Sequence, residues 1–198
     1  MSPASAPAAV PAALTAPAVP AATGTALPTV AGGCPEFLLT SIRRAVRAGG
    51  DWQQVADRVA GVLRDQLPRP EMLSPYWLTG DPAGYQTHLL HAEPDGSFSV
   101  AVMVWLPGQQ TSIHDHLAWC VTAVLQGTEY EELYAPAPGT AGALRVVARN
   151  ENHAGAVVGF APPGDIHRVT NAGAGTAVSM HVYGTDISRV GSSIRREY

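Results

Sequence analysis

The chain has 198 residues, 46% hydrophobic and 14% charged, with a formal net charge of −4. That length suits one domain with a real core, and the mildly acidic balance excludes a basic nucleic-acid footprint. No run of about 18 uninterrupted apolar residues is present to cross a membrane as a helix. Two cysteines, Cys34 and Cys120, cannot build a disulfide scaffold and fit a reducing, cytoplasmic compartment.

Residues 1–33 stand apart. They are nearly all Ala, Pro, Val, Thr, Ser and Gly, and the first charge is Glu36. Repeated Pro breaks helix and strand alike, so a disordered tail is expected. The segment lacks the basic start and unbroken apolar stretch of a signal peptide. Two helices are predicted next, within about 36–67. The first carries Phe37, Leu38, Ile42 and Val46 at helical spacing and stops at Gly49-Gly50. The second starts at Asp51, a good N-cap, and sets Val55, Val59, Val62 and Leu63 against Arg58, Arg64 and Asp65. Pro68 and Pro70 end it, and residues 68–84 read as a connecting loop.

From Tyr85 the pattern changes to short β-like runs at 86–92, 98–106, 119–126, 129–134, 144–149, 156–160, 167–172 and 176–183. Asp95-Gly96 marks a hairpin between the first two. Many short strands at regular spacing predict an all-β sandwich or barrel over about 85–184, within one domain at 34–198. Residues 186–198 are polar, carry Arg189, Arg195 and Arg196, and are expected to cap one end.

Two stretches carry chemistry. In Ser112-Ile113-His114-Asp115-His116, residues i and i+2 of an extended chain share a face, so His114 and His116 project together and Asp115 projects away. Two adjacent imidazoles are half of a metal site, although the pair alone also fits two solvated loop histidines. In Pro162-Pro163-Gly164-Asp165-Ile166-His167, a well-specified turn places His167 at the start of a strand. In a closed barrel that strand can lie beside His114 and His116, giving three imidazoles together.

These motifs resemble the cupins. Gly108, His114, His116 and Gly127 match the first cupin motif, with Cys120 where that motif has Glu. Pro162, Gly164, His167 and Asn171 match the second, whose leading Gly falls on Ala156. The chain further resembles the cysteine dioxygenase family. Ser112–His116 is similar to that family's ligand run, Cys120 to its active-site cysteine, and Ser179-x-His181-x-Tyr183 to its hydrogen-bond relay. The resemblance implies a mainly β cupin fold, a double-stranded β-helix or jelly-roll barrel with two short helices before it. It implies Fe(II) on His114, His116 and His167, with no carboxylate ligand. Tyr183 would face the bound thiolate and dioxygen, oriented by His181, itself oriented by Ser179. Cys120 and Tyr183 would be able to form the thioether known in some members.

The activity implied is addition of both atoms of O2 to the sulfur of a small thiol, giving a sulfinic acid. L-cysteine comes first, and 3-mercaptopropionate is the alternative, as is a non-catalytic metal-binding cupin. Cysteine-using members carry an Arg on the strand before the hairpin, and 86–92 has none. Gln86, His88, Arg195 and Arg196 are the candidates for the substrate carboxylate, Arg being its usual partner. Arg168 is expected to point away from the metal, and His88 and His91 to be surface or supporting groups. Trp105 and Trp119 are expected in walls and core. Beyond thiol and O2, no nucleic-acid or membrane partner is expected, and a monomer fits.

Overall fold

Local sequence sets the two helices. In the computed structural model, which describes residues 33–140 and 142–198, α1 spans Glu36–Arg47 and α2 spans Trp52–Gln66. The expected tail over 1–33 lies, except for Gly33, outside the described residues. Gly49 and Gly50, at φ of 70° and 103°, turn the chain between the helices through backbone that side chains disfavour. The Asp51 carboxylate accepts from Gln54 N at 2.9 Å, and the Gln54 side chain accepts from Asp51 N at 3.2 Å. This reciprocal pair satisfies two N–H groups that the helix start would leave unpaired. Residues 68–84 contain two short 3₁₀ turns, Pro70–Met72 and Pro75–Leu78, rather than loop throughout.

The strands are β1 (Gln86–Ala92), β2 (Ser99–Trp105), β3 (His114–His116), β4 (Cys120–Gln126), β5 (Thr128–Pro136), β6 (Leu144–His153), β7 (Val157–Phe160), β8 (His167–Thr170), β9 (Ala177–Tyr183) and β10 (Ile194–Glu197). A single helical turn, α3 (Ile187–Val190), precedes the last. They form two five-stranded sheets, ordered β1-β2-β9-β4-β7 and β10-β3-β8-β5-β6. Every pairing is antiparallel. This is the double-stranded β-helix expected, with one difference: among the described residues the ladders stay in two sheets and do not close into a cylinder. The sheets meet through side chains, as where Met103 and Trp105 of the first pack with Val169 of the second.

The first sheet is buried on both faces. Val100, Val102 and Val104 of β2, Val121, Ala123 and Leu125 of β4, and Val178, Met180 and Val182 of β9 point outward. They pack against Leu38 and Ile42 of α1 and Val55, Val59 and Leu63 of α2. Removing this much apolar surface from water is the main stabilising contribution. The alternate residues of the same strands, including Ala101, Met103, Cys120, Ser179, His181 and Tyr183, face the interior. The second sheet turns one face to solvent; β6 alternates between exposed and partly exposed along most of its length. Gly127 joins β4 to β5 at φ 74°, and a Cβ there would lie 2.9 Å from the Thr176 carbonyl, so the position requires Gly. Asn171 is structural: its Nδ2 donates to the Trp105 and Gly175 carbonyls, at 2.8 Å each, and ties β8 to β2 and to the turn before β9.

Candidate metal centre and its relay

Pairing of β3 with β8 sets His114 opposite His167, and alternation along β3 brings His116 to the same face. All three rings are buried, and one ring nitrogen from each lies within 4.8 Å of the others. The Nε2 atoms of His114 and His167 are 3.3 Å apart. Each ring is fixed from behind. His114 Nδ1 lies 3.0 Å from the Ser112 carbonyl, His116 Nδ1 lies 3.1 Å from Asp165 Oδ2, and His167 Nδ1 lies 2.8 Å from Glu131 Oε1. Asp165 Oδ2 also accepts His116 N–H at 2.8 Å, and Asn150 Nδ2 donates to Glu131 Oε2 at 3.0 Å.

A carbonyl or an ionised carboxylate can only accept, so these contacts place each hydrogen on Nδ1 and leave each Nε2 lone pair free. Burial opposes the charges of Asp165 and Glu131, but the histidine hydrogen bonds outweigh it and both carboxyls stay below their ordinary range. Burial, reinforced by the neighbouring rings, lowers the His114 imidazolium to about 3, and burial lowers His116 too. His114 and His116 are therefore neutral at neutral pH. Two lone pairs facing each other at 3.3 Å with no hydrogen between them fit a cation, and a fixed partner on the other ring nitrogen is what metal-binding histidines use. Cys120 is outside this cluster.

Asp115 points the other way, as expected. Burial opposes its charge, but Arg195, Arg196 and Tyr198 outweigh that and hold its carboxyl well below the usual range. Tyr198 Oη donates to it at 3.0 Å, and β10, which carries Arg195 and Arg196, pairs with β3. This corrects the reading of Arg195 and Arg196 as substrate-carboxylate partners: their guanidiniums are committed to Asp115 behind the cluster. Gln86 and His88 are corrected as well. They pair with Val104 and Val102, so they lie on the outward face of β1; His88 packs on Tyr76, ring centroids 5.4 Å apart, and Gln86 Nε2 donates to the Gly84 carbonyl at 3.3 Å. The inward residue between them is Thr87, opposite Met103. Arg168 points outward to Glu132, and His91 pairs with Glu93 at 2.9 Å, away from the cluster.

The wall opposite the imidazoles is polar. Ser179 Oγ lies 2.9 Å from His181 Nε2, and His181 Nδ1 lies 3.1 Å from Tyr183 Oη. Tyr183 stacks toward His116 with ring centroids 6.4 Å apart, so the chain of contacts ends beside the imidazoles. Burial above all lowers the His181 imidazolium to about 3, with the other rings adding to it, and burial raises the Tyr183 phenol well above 10. Both are neutral at neutral pH. Cys120 pairs with Tyr183 across β4 and β9, and burial raises its thiol. Phe160 closes the space, 5.0 Å from the His116 ring and 5.2 Å from the His167 ring.

Sequence reasoning missed Asp165, Glu131, the buried Glu129, Thr122, whose Oγ1 lies 3.3 Å from His181 Nδ1, and Trp105, whose indole N–H donates to Ser179 Oγ at 3.3 Å. Alternation offered a signal for two of them. In Thr128-Glu129-Tyr130-Glu131 every second residue is acidic, and β5 buries both of those acids.

A two-sheet β-helix with three buried imidazoles between its sheets is a cupin-type metal site. The chain belongs to the Cysteine dioxygenase type I family, which it matches over residues 75–193, more than half its length. It is thus a metal-dependent enzyme of the cupin type, in a dioxygenase family. Similar solved structures include a Cupin 2 conserved barrel domain protein from Salinispora arenicola CNS-205, at 23% identity over 63% of this chain and 92% of that one, TM-score 0.42. A cupin superfamily protein from Desulfitobacterium hafniense DCB-2 is similar at 13% identity over 61% and 93%, TM-score 0.42. A protein with a double-stranded β-helix domain from Klebsiella pneumoniae subsp. pneumoniae MGH 78578 is similar at 19% identity over 59% and 90%, TM-score 0.42. No helix among the described residues is long and apolar enough to cross a membrane.

Proposed function

We propose that the protein is a non-haem iron thiol dioxygenase that adds both atoms of O2 to the sulfur of a small thiol, giving a sulfinic acid. L-cysteine is the first substrate to test. The observation that carries this reading is an all-imidazole cluster, without a carboxylate ligand, facing a buried Tyr183–His181–Ser179 chain. His114, His116 and His167 would hold the metal through Nε2. Fe(II) bound there supplies Lewis acidity for the thiolate and electrons for O2. Three imidazoles without a carboxylate ligand add no negative charge, so the site favours an anionic sulfur. Tyr183 stays protonated by burial and offers a hydrogen-bond donor to charge developing beside His116. His181 and Ser179 orient it. Phe160, Leu89 and Met103 exclude water from the reacting sulfur, which strengthens each polar contact inside.

A second substrate, 3-mercaptopropionate, is favoured by one observation: β1 presents Thr87 inward and carries no Arg. We assign the activity to one domain at 34–198, following the tail at 1–33, in a reducing cytoplasm that suits two free buried cysteines. The test is anaerobic reconstitution with Fe(II), then O2 uptake with L-cysteine and 3-mercaptopropionate in parallel and mass analysis of the product. Uptake with sulfinate is the expected result. No uptake with either thiol, from protein shown to hold one iron, would leave a non-catalytic metal-binding cupin in its place.

A further inference from the structure

β3 carries two of the three imidazoles and has little backbone support of its own. It is three residues long, and it pairs with β8 at one position only, His114 opposite His167. Its other neighbour is β10, which pairs with all three residues: Glu197 with His114, Arg196 with Asp115 and Ile194 with His116. Backbone hydrogen bonds extend this ladder at both ends. Leu117 N–H donates to the Ser193 carbonyl at 2.7 Å, and Tyr198 N–H donates to the Ile113 carbonyl at 2.9 Å. The Ser112 hydroxyl donates to Glu197 Oε1 at 2.8 Å, and the carbonyl of the same residue accepts from His114 Nδ1. Most of what holds β3 in register is therefore β10.

Asp115 adds a side-chain anchor. It is 1% exposed and stands between the two histidines, on the opposite face of β3. Consecutive side chains of a regular strand point to opposite faces, so Arg195 and Arg196 would not both reach one carboxylate. The register slips between Ile194 and Arg196, and that irregularity brings both guanidiniums to Asp115. Arg196 Nη2 and Nε donate to Oδ2 at 2.6 and 3.1 Å, and Arg195 Nε donates to Oδ1 at 3.3 Å. The Tyr198 ring lies under the Arg196 guanidinium, 5.3 Å from it, while its hydroxyl donates to the same Oδ2.

Little else holds β10 down. It is the edge strand of its sheet, and Arg195, Arg196 and Glu197 are exposed. An exposed edge held by polar contacts opens locally at a lower cost than the core. On opening, β3 keeps only its pair with β8, and Asp115 loses both cations.

We propose that β10 is a latch on the metal centre: Arg195 and Arg196 are positioning residues that hold His114 and His116 through Asp115, and docking of β10 is reciprocally coupled to occupancy of the three-imidazole site. By linkage, a bound metal stabilises the docked strand by the same factor by which the docked strand strengthens metal binding. The inference rests on the cluster taking a divalent cation and not on the reaction proposed above, so Zn(II) is a sufficient probe and a failure of thiol oxidation leaves it standing.

The experiment compares the full chain with and without Zn(II) by amide hydrogen exchange, read residue by residue by NMR. Leu117 and Tyr198 N–H report opening of the latch. Ala137 N–H, bonded to the Ala143 carbonyl at 2.8 Å, reports opening in the β5–β6 hairpin. Zn(II) is expected to slow exchange at Leu117 and Tyr198 by about 10-fold or more and to leave Ala137 unchanged. Exchange at Leu117 and Tyr198 that ignores Zn(II), or slows no more than at Ala137, overturns the inference. The reciprocal arm joins Arg195→Gln and Arg196→Gln in one chain. Competition with a chelator should show Zn(II) affinity about 10-fold weaker, the scale on which groups supporting a metal ligand act. Co(II) in the same variant should show altered d–d absorption, because the ligand geometry changes; a loss of stability alone would leave the spectrum of the loaded protein as in the wild type. Wild-type affinity and spectrum in this variant overturn the inference. The exchange arm needs no variant, so it decides even where the double substitution prevents folding.

Discussion

The wall formed by β3, β5 and β8 and the wall formed by β4 and β9 both bring polar side chains into the same interior, and they restrain them in opposite ways. On the first, each imidazole is bonded to a group that only accepts: the Ser112 carbonyl, Asp165 or Glu131. Each ring therefore has one tautomer and one free nitrogen. On the second, Ser179, His181, Tyr183 and Thr122 are bonded to one another, and each can donate or accept. The first wall is fixed and the second is reversible. The choice of partner decides which: acceptor-only groups lock a ring, and hydroxyls do not.

His167→Ala tests this division most severely. It removes a ligand nitrogen and leaves the buried Glu131 carboxylate with Asn150 but without its histidine partner. Metal content and turnover should both fall to background, as read by metal analysis beside O2 uptake. Tyr183→Phe strikes the other wall. Metal content should be unchanged while turnover drops about 10²-fold, the usual scale for losing a positioned proton donor. Loss of metal in Tyr183→Phe would mean that the two walls act as one.

Asp165→Asn keeps an acceptor behind His116 but removes its charge. Metal affinity should weaken by about 10-fold, the lower end for a group that orients a ligand, with turnover of the loaded enzyme little changed. A competition titration with a metal chelator measures it.

The division between walls was only partly legible in the sequence. Both imidazole stretches carried local signals, His-x-His and a Pro-Gly turn before His167, and the shared face of Ser179, His181 and Tyr183 followed from strand alternation. Contacts between distant segments were not legible. Arg195 and Arg196 look like anion binders in the sequence, yet their carboxylate is Asp115, about 80 residues earlier. The face taken by Gln86 and His88 depends on the register of β1 against β2, which also includes an irregularity between Leu89 and His91. β3 has three residues, too few for a periodicity to show. Which acid stands behind which ring is likewise a property of the folded chain.

Glu132 offers a control on the solvent side of β5. Hydrogen bonds from Arg168, then Tyr134 and Arg149, hold its carboxyl at about 2. A depressed carboxyl stabilises the fold above its unfolded ionisation range and loses that contribution as pH falls through the folded value. Between about pH 5 and about pH 2 the wild type should therefore lose more Tm than Glu132→Gln. Metal content at neutral pH should be the same in both. A metal defect in Glu132→Gln would mean that the solvent face of β5 transmits to His167, and the fixed wall would be less fixed than its acceptors imply.

The smallest effect is expected from Cys120→Ser, and it bears on which wall Cys120 belongs to. Its sulfur lies 3.9 Å from Thr122 Oγ1, and Thr122 Oγ1 lies 3.3 Å from His181 Nδ1, so Cys120 borders the reversible chain rather than the imidazoles. A serine hydroxyl is smaller and can bond Thr122 in its place, so the buried polar atom keeps a partner and the stability cost stays near about 1 kcal/mol. Metal content should be unchanged, and turnover within about threefold of the wild type. A large loss of metal would make the sulfur a ligand and move Cys120 to the fixed wall. A turnover loss approaching that of Tyr183→Phe, with metal intact, would instead mean that Cys120 acts together with Tyr183, its cross-strand partner, as a bond between their side chains would require.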